Sequence, residues 1–210
     1  MISSGQCLFK YIRVVLAALF LLSSLTGLQA QYKAIHYFSR DEALKTVFPS
    51  ASRVSSTIHR LNEQQKSQLE QSLGAQITET QVELMEAFEG NARLGYAIIL
   101  DEIGKHCPIT FITAISPDYT VHNVLVMVYR EPFGAAVHKK RFLKQFYRKS
   151  SKDPLQLNRD IDGITGATYS TAAMSKGVKK ALLIVEQLSK SVGTAQQLRQ
   201  SQLSDSIVTL

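Results

Sequence analysis

The 210-residue chain has no tryptophan and only two cysteines, and its first thirty residues carry no acidic side chain. The missing Trp costs the core nothing, because Phe, Tyr, Leu, Ile and Val can supply the apolar volume. The cysteine shortage excludes more. Cys7 lies in the acid-free N-terminal segment, so Cys107 would stand alone once that segment is removed, and no internal disulfide could form. A structural zinc needs four ligands, and His106 beside Cys107 has no second cluster to complete a set. In "GKHCPIT" Cys107 opens what reads as a strand, where a small hydrophobe is expected. Length and composition, with 45% hydrophobic and 20% charged residues, fit one globular domain with accessory segments.

The lack of acids near the N-terminus is matched by what stands there. Lys10 and Arg13 precede the apolar run "VVLAALFLLSSLTGL", which is the order of an export signal. That run is shorter than the roughly 20 residues of a membrane-spanning helix. Residues 1–30 are therefore read as a signal peptide cleaved after "LQA", with an uncleaved N-terminal membrane anchor as the alternative, since Leu28 is large for a cleavage pattern. The formal net charge of +7 falls by two when Lys10 and Arg13 leave, so the remaining domain is mildly basic. "HKKRFLKQFYRK" interleaves cations with aromatics, but export argues against nucleic acid as the partner. The segment reads instead as a solvated helix face with Phe142, Leu143 and Phe146 turned inward.

Residues 31–80 read as an N-terminal helical segment. "SRDEALKTVFP" has Ser39 as a cap and Pro49 as a stop, and "STIHRLNEQQKSQLEQSLG" reads as a second helix ended by Gly74. The period then changes. "QVELMEAFEG", "RLGYAIILDEIG", "PITFITAIS" and "VHNVLVMVYREP" are β-branched apolar runs joined by connections too short for parallel crossovers. After a Pro154 loop, Ala173, Met174, Val178, Ala181, Leu182, Val185 and Leu188 recur at helical spacing. The expected class is α+β, a twisted antiparallel sheet with helices packed on one face. The functional domain spans 81–190, and 191–210 is a polar, Gln- and Ser-rich tail.

Between loop and last helix lies "DGITGATYST", residues 162–171. Gly163, Gly166 and Ala167 allow close approach to the backbone, while Thr165, Thr168, Ser170 and Thr171 surround it with hydroxyls. A helix starting near Thr168 adds free N–H groups and a positive dipole end, a setting that suits a phosphate. The same residues also serve as an ordinary cap and turn in proteins that bind nothing. No P-loop is present, because no Gly-Lys-Ser/Thr ending follows, and no third glycine completes a dinucleotide fingerprint. The five histidines lack metal spacing, no nucleophile elbow occurs, and no hydrolytic carboxylate pair is indicated.

"DGITGAT" resembles the Asp-x-x-Ser/Thr-Gly-Ala-Thr/Ser attachment motif of exported FMN-binding domains, such as those in the small flavoprotein subunits of sodium-pumping NADH:quinone reductases and Rnf-type complexes. "YREPFG" and "RFLKQF" resemble segments that precede the motif in that family, although Arg130, Glu131, Pro132 and Phe133 stand where many members have Glu-Thr-Pro-Gly. The resemblance implies an FMN-binding domain fold and a flavin transferase that uses FAD and magnesium. It implies covalent FMN, joined through its phosphate to the Thr168 hydroxyl, with Asp162, Thr165, Gly166 and Ala167 as the remaining motif positions. Ser170 and Thr171 are further cofactor-binding candidates, and Tyr129, Arg130, His106 and Lys176 are candidate neighbours. The implied function is an exported, periplasmic or membrane-associated electron carrier between redox partner proteins that are themselves membrane-bound. The alternatives are a flavin-dependent reductase component acting on a small or ferric substrate, and a flavin-free sensory or interaction module.

Overall fold

A computed structural model describes the backbone of residues 33–208 and the side chains through Lys190; the N-terminal segment 1–30 lies outside the described residues. Six strands form one sheet: β1 (Ile35–His36), β2 (Arg53–Arg60), β3 (Gln81–Glu89), β4 (Ala92–Ile103), β5 (Pro108–Ile115) and β6 (Val121–Tyr129). They lie in the order β1-β6-β5-β4-β3-β2, every neighbour antiparallel. Strands β3 to β6 are the four apolar runs, joined as a meander by the short connections that had excluded crossovers.

Residues 53–60 depart from the helical expectation. They form β2, registered from Arg53 opposite Phe88 to Arg60 opposite Gln81, and the helix that follows, α2 (Glu63–Leu73), starts only after the Asn62 cap. The strand is mostly exposed on both faces, so it has no alternating apolar signature; pairing with β3 decides its conformation. The N-terminal segment thus contributes two strands as well as helices α1 (Arg40–Val47) and α2. Reciprocal capping boxes start both helices, Ser39 with Glu42 and Asn62 with Gln65, and Gly74 ends α2 in the left-handed conformation.

Alternation along the strands divides the core in two. Leu84, Ile98 and Phe111 face one way, against the long helix α4 (Thr168–Val208), whose Ala173, Met174, Val178, Ala181, Leu182, Val185 and Leu188 are all buried as their spacing required. Met85, Ala97, Ile112 and Met127 face the other way, where Ala43, Leu44 and Val47 of α1 meet them. The α+β class holds, but helices cover both faces of the sheet rather than one, because its central strands are apolar on both sides. The polar tail continues α4 as far as Val208. Among the described residues no helix is long and apolar enough to cross a membrane.

Helix α4 approaches the sheet closely at Gly177, where a Cβ would stand 2.3 Å from the Phe111 ring and 2.7 Å from Glu102 Cγ. Beside it Lys180, 3% exposed, pairs with Glu79 and Glu102, and Lys176 reaches Glu102 at 3.1 Å.

Candidate functional site

The segment 135–146 that follows β6 is a 3-10 turn (Ala135–His138), a short helix α3 (Lys140–Leu143) and a second 3-10 turn (Lys144–Phe146). It is less regular than the single helix its sequence suggested, but Phe142, Leu143 and Phe146 are buried as expected. From it Gln145 clamps the next loop through its amide: Nε2 donates to the Asp162 carbonyl at 3.3 Å and Oε1 accepts from the Asp162 N–H at 2.7 Å. Two segments far apart in sequence are thereby held as opposite walls. Between them lies a cleft of about 510 Å³, lined by Lys139, Arg141, Phe142 and Gln145 on one side and by Asp162, Gly163, Ile164 and Thr165 on the other.

The floor beneath the motif is fixed from β6. The Tyr129 hydroxyl donates to the Phe133 carbonyl, and because a phenol has one proton to give, its 2.8 Å bond with Ser170 Oγ has Ser170 as donor. Burial raises the Tyr129 pKa, which keeps the phenol protonated in this role. Gly134, at φ +88°, lies against the same point: a Cβ there would come 2.9 Å from both hydroxyls and 3.2 Å from the Ala167 methyl.

The motif then divides by exposure. Ala167 closes a turn by donating its N–H to the Ile164 carbonyl at 2.9 Å, with Gly166 at φ +77° inside it. Nothing lies within 4 Å of where a Gly166 Cβ would be, so the backbone there is open to an incoming group. Thr165, Gly166 and Thr168 are exposed. Thr168 is the first residue of α4, and among the described residues the N–H groups of Thr168, Tyr169 and Ser170 find no backbone acceptor; the first donor with a partner is Thr171, which reaches the Ala167 carbonyl.

Three expectations shift. Ser170 and Thr171 are buried and engaged, Ser170 with Tyr129 and Thr171 Oγ1 with the Ala167 carbonyl at 2.9 Å, so they brace the helix start rather than face a ligand. Ala167 is buried too, and its smallness serves the contact with Gly134 rather than an approach from outside. Of the four candidate neighbours only Tyr129 reaches the motif. Arg130 donates to Thr110 Oγ1 at 2.8 Å on β5, and Lys176 is held by Glu102. At His106 the backbone N–H, with that of Cys107, is bound by the buried Glu131 carboxylate. Cys107 is half-buried, not fully enclosed. Lys139, Arg141 and Gln145 were hidden in a run that read as a solvated face.

Near the same end of the sheet two aromatic side chains are left to solvent, Phe133 at 80% exposure and Tyr169 at 62%, and Lys105 lies 5.9 Å from the centre of the Tyr169 ring. The arrangement fits a phosphorylated aromatic cofactor on four counts: an exposed hydroxyl at a helix start, free N–H donors, an open glycine turn, and a cleft with two cations and an aromatic wall.

Residues 104–183 match the FMN-binding domain family. The chain is 31% identical over 115 residues to one subunit of the proton-translocating ferredoxin:NAD(+) oxidoreductase complex of Clostridium ljungdahlii, a match covering 51% of this chain and 60% of the Clostridium protein. Among solved structures it is similar to NqrC of Shewanella oneidensis, at 14% identity with a TM-score of 0.44 over 70% of this chain and 82% of that one. It is also similar to the corresponding component of the Na(+)-translocating NADH-quinone reductase of Parabacteroides distasonis, at 16% identity with a TM-score of 0.42 over 69% and 85%.

Proposed function

From a chain that carries an FMN-binding domain over residues 104–183, we propose an exported electron-transfer flavoprotein whose FMN is esterified through its phosphate to Thr168. The observation that carries this reading is the sorting of hydroxyls. Of the four aliphatic hydroxyls in the motif, Ser170 and Thr171 are buried and hydrogen-bonded, whereas Thr168 is exposed at the start of α4 where N–H donors are free. Thr165 is exposed as well, but it stands within the Ile164–Ala167 turn, on the wall of the cleft and ahead of the helix.

A flavin transferase would use FAD and magnesium. Thr168 Oγ1 would form the new bond to the FMN phosphorus, the phosphoanhydride of FAD would break, AMP would leave, and the threonine proton would pass to a base on the transferase. The start of α4 would receive the phosphodiester, Gly166 leaving its backbone accessible. Lys139 and Arg141 would balance negative charge in the cleft, and Phe142 and Ile164 would supply its apolar contacts. Bound flavin supplies one- and two-electron chemistry; the chain holds it in place and lets partners reach it. The relative from Clostridium belongs to a multi-subunit redox complex, which supports membrane-bound redox partner proteins as donor and acceptor.

Intact mass after co-expression with a flavin transferase tests the assignment. The native chain should gain FMN less one water, on the peptide that contains Thr168, and Thr168→Val should gain nothing. An unmodified native chain in a competent host, or label persisting on Thr168→Val, overturns it. Reoxidation that requires an added protein partner marks a carrier; rapid turnover with a small oxidant alone would count against that role.

A further inference from the structure

A second cleft, of about 460 Å³, runs along α4 beyond the motif and shares no lining residue with the first. One side is α4, with Ser175, Lys176 and Lys179; the other is the loop that carries Lys152, Asp153 and Arg159. From these residues we infer a second anion site, which binds the phosphate group of a small molecule of up to about mononucleotide size.

The site is built rather than incidental. Ser175 is 2% exposed, and its hydroxyl has no hydrogen-bond partner among the described residues. A buried serine within a helix normally turns to the carbonyl one turn earlier, as Thr171 does to Ala167 and Ser189 to Val185. Ser175 does not, and a buried polar group left unpaired costs about 1–3 kcal/mol. Its Oγ is closed to solvent as it stands, so a turn about χ1 towards the cleft would bring the hydroxyl to a ligand acceptor and remove that cost.

Charge points to an oxyanion. Lys152, Arg159, Lys176 and Lys179 line the cleft, and its one acid, Asp153, has an oxygen that already accepts from the Ser150 N–H at 2.7 Å and its hydroxyl at 2.8 Å. Lys176 is matched by Glu102. Arg159 has no acidic partner among the described residues, and Lys152 makes no ion pair there, lying only in the longer-range field of Glu186. Two uncompensated cations match a phosphate monoester, whose charge is about −1.5 to −2 near neutrality, better than a single carboxylate. A guanidinium also suits two phosphate oxygens at once.

The loop wall is pre-formed. The Asp160 carboxylate accepts from the N–H groups of Leu155 at 3.1 Å and Gln156 at 2.8 Å and pairs with Lys149 at 2.9 Å. Lys179 donates to the Ser151 and Asp153 carbonyls, tying the loop to α4. A ligand would therefore pay little to order its surroundings.

Isothermal titration of the full chain with inorganic phosphate and adenosine 5′-monophosphate, with adenosine as the phosphate-free control, tests the site. Both phosphate compounds should bind and adenosine should not. Arg159→Gln and Ser175→Ala should each weaken binding about tenfold, while Lys45→Gln, an exposed cation of α1 on the opposite face of the sheet, leaves it unchanged. Ser175→Ala deletes an unpaired hydroxyl, so its unfolding midpoint should equal or exceed the native value, which separates lost binding from lost folding. Equal binding of adenosine, unchanged affinity in both cleft variants, or no phosphate binding at millimolar concentration overturns the inference.

Discussion

At the scale of single residues, the motif is a sorting of similar groups by helix phase. Ser170 and Thr171 lie four and three residues before Met174, and Thr171 seven before Val178, so both fall on the apolar stripe of α4 and are buried with it. That phase is legible in the sequence, and it is enough to turn both side chains into the core. Gly134 is not legible in this way: its neighbours Tyr129, Ala167 and Ser170 come from β6 and α4, and only the fold brings them together. Two glycines allow the point to be tested, since Gly134 and Gly166 share a positive φ but not their surroundings. Gly166→Ala meets nothing and should cost the backbone term alone, about 1–2 kcal/mol. Gly134→Ala adds contacts of 2.9 Å with two bonded hydroxyls and should cost roughly 2–4 kcal/mol. Urea unfolding of the two variants measures the difference, and equal losses would show that the Gly134 contact does not hold the motif in place.

Among elements, what the sequence made visible depended on whether burial or pairing decided the structure. Strands β3 to β6 and helix α4 are shaped by apolar burial, which leaves a period in the residues. Strand β2 is shaped by its ladder with β3 and leaves none, and the cleft depends on the Gln145 clamp across 17 residues, a contact with no periodic trace. The cations of α4 show the same limit. Lys180 falls among the buried residues of α4 although lysine is seldom enclosed, and its partners Glu79 and Glu102 come from just before β3 and from within β4. Enclosing these charges is tolerable only because they are paired, so removing one member should cost more than removing both. Lys180→Met is expected to lose about 3–5 kcal/mol in urea unfolding, leaving Glu102, 5% exposed, with Lys176 as its remaining partner. Adding Glu102→Leu should restore a large part of that loss. A double variant that loses the sum of the two single losses would mean that the pair is not coupled and that α4 is held to the sheet by its apolar face alone.

For the whole molecule, the question is which residues make the fold and which direct it to a compartment. Among the described residues every member of the two core clusters lies between Ala34 and Leu188, and residues 34–210 form one compact unit. A fragment of 34–210 should therefore unfold in urea with the midpoint and denaturant slope of the full chain, because the slope follows the surface exposed on unfolding. Flavin loading should behave differently. A noncovalent site is filled only as far as free ligand exceeds its dissociation constant, so the phosphodiester proposed for Thr168 would matter most where free flavin is scarce, outside the cytoplasm. If residues 1–30 direct export, then in cells whose flavin transferase acts beyond the cytoplasmic membrane the full chain should carry FMN and the equally stable fragment should not. Fusing an unrelated export signal to the fragment should restore the label. In-gel flavin fluorescence after denaturation reads all three. A fragment labelled as fully as the complete chain, without any added signal, would place loading inside the cytoplasm and remove the scarcity of flavin as the reason for a covalent bond.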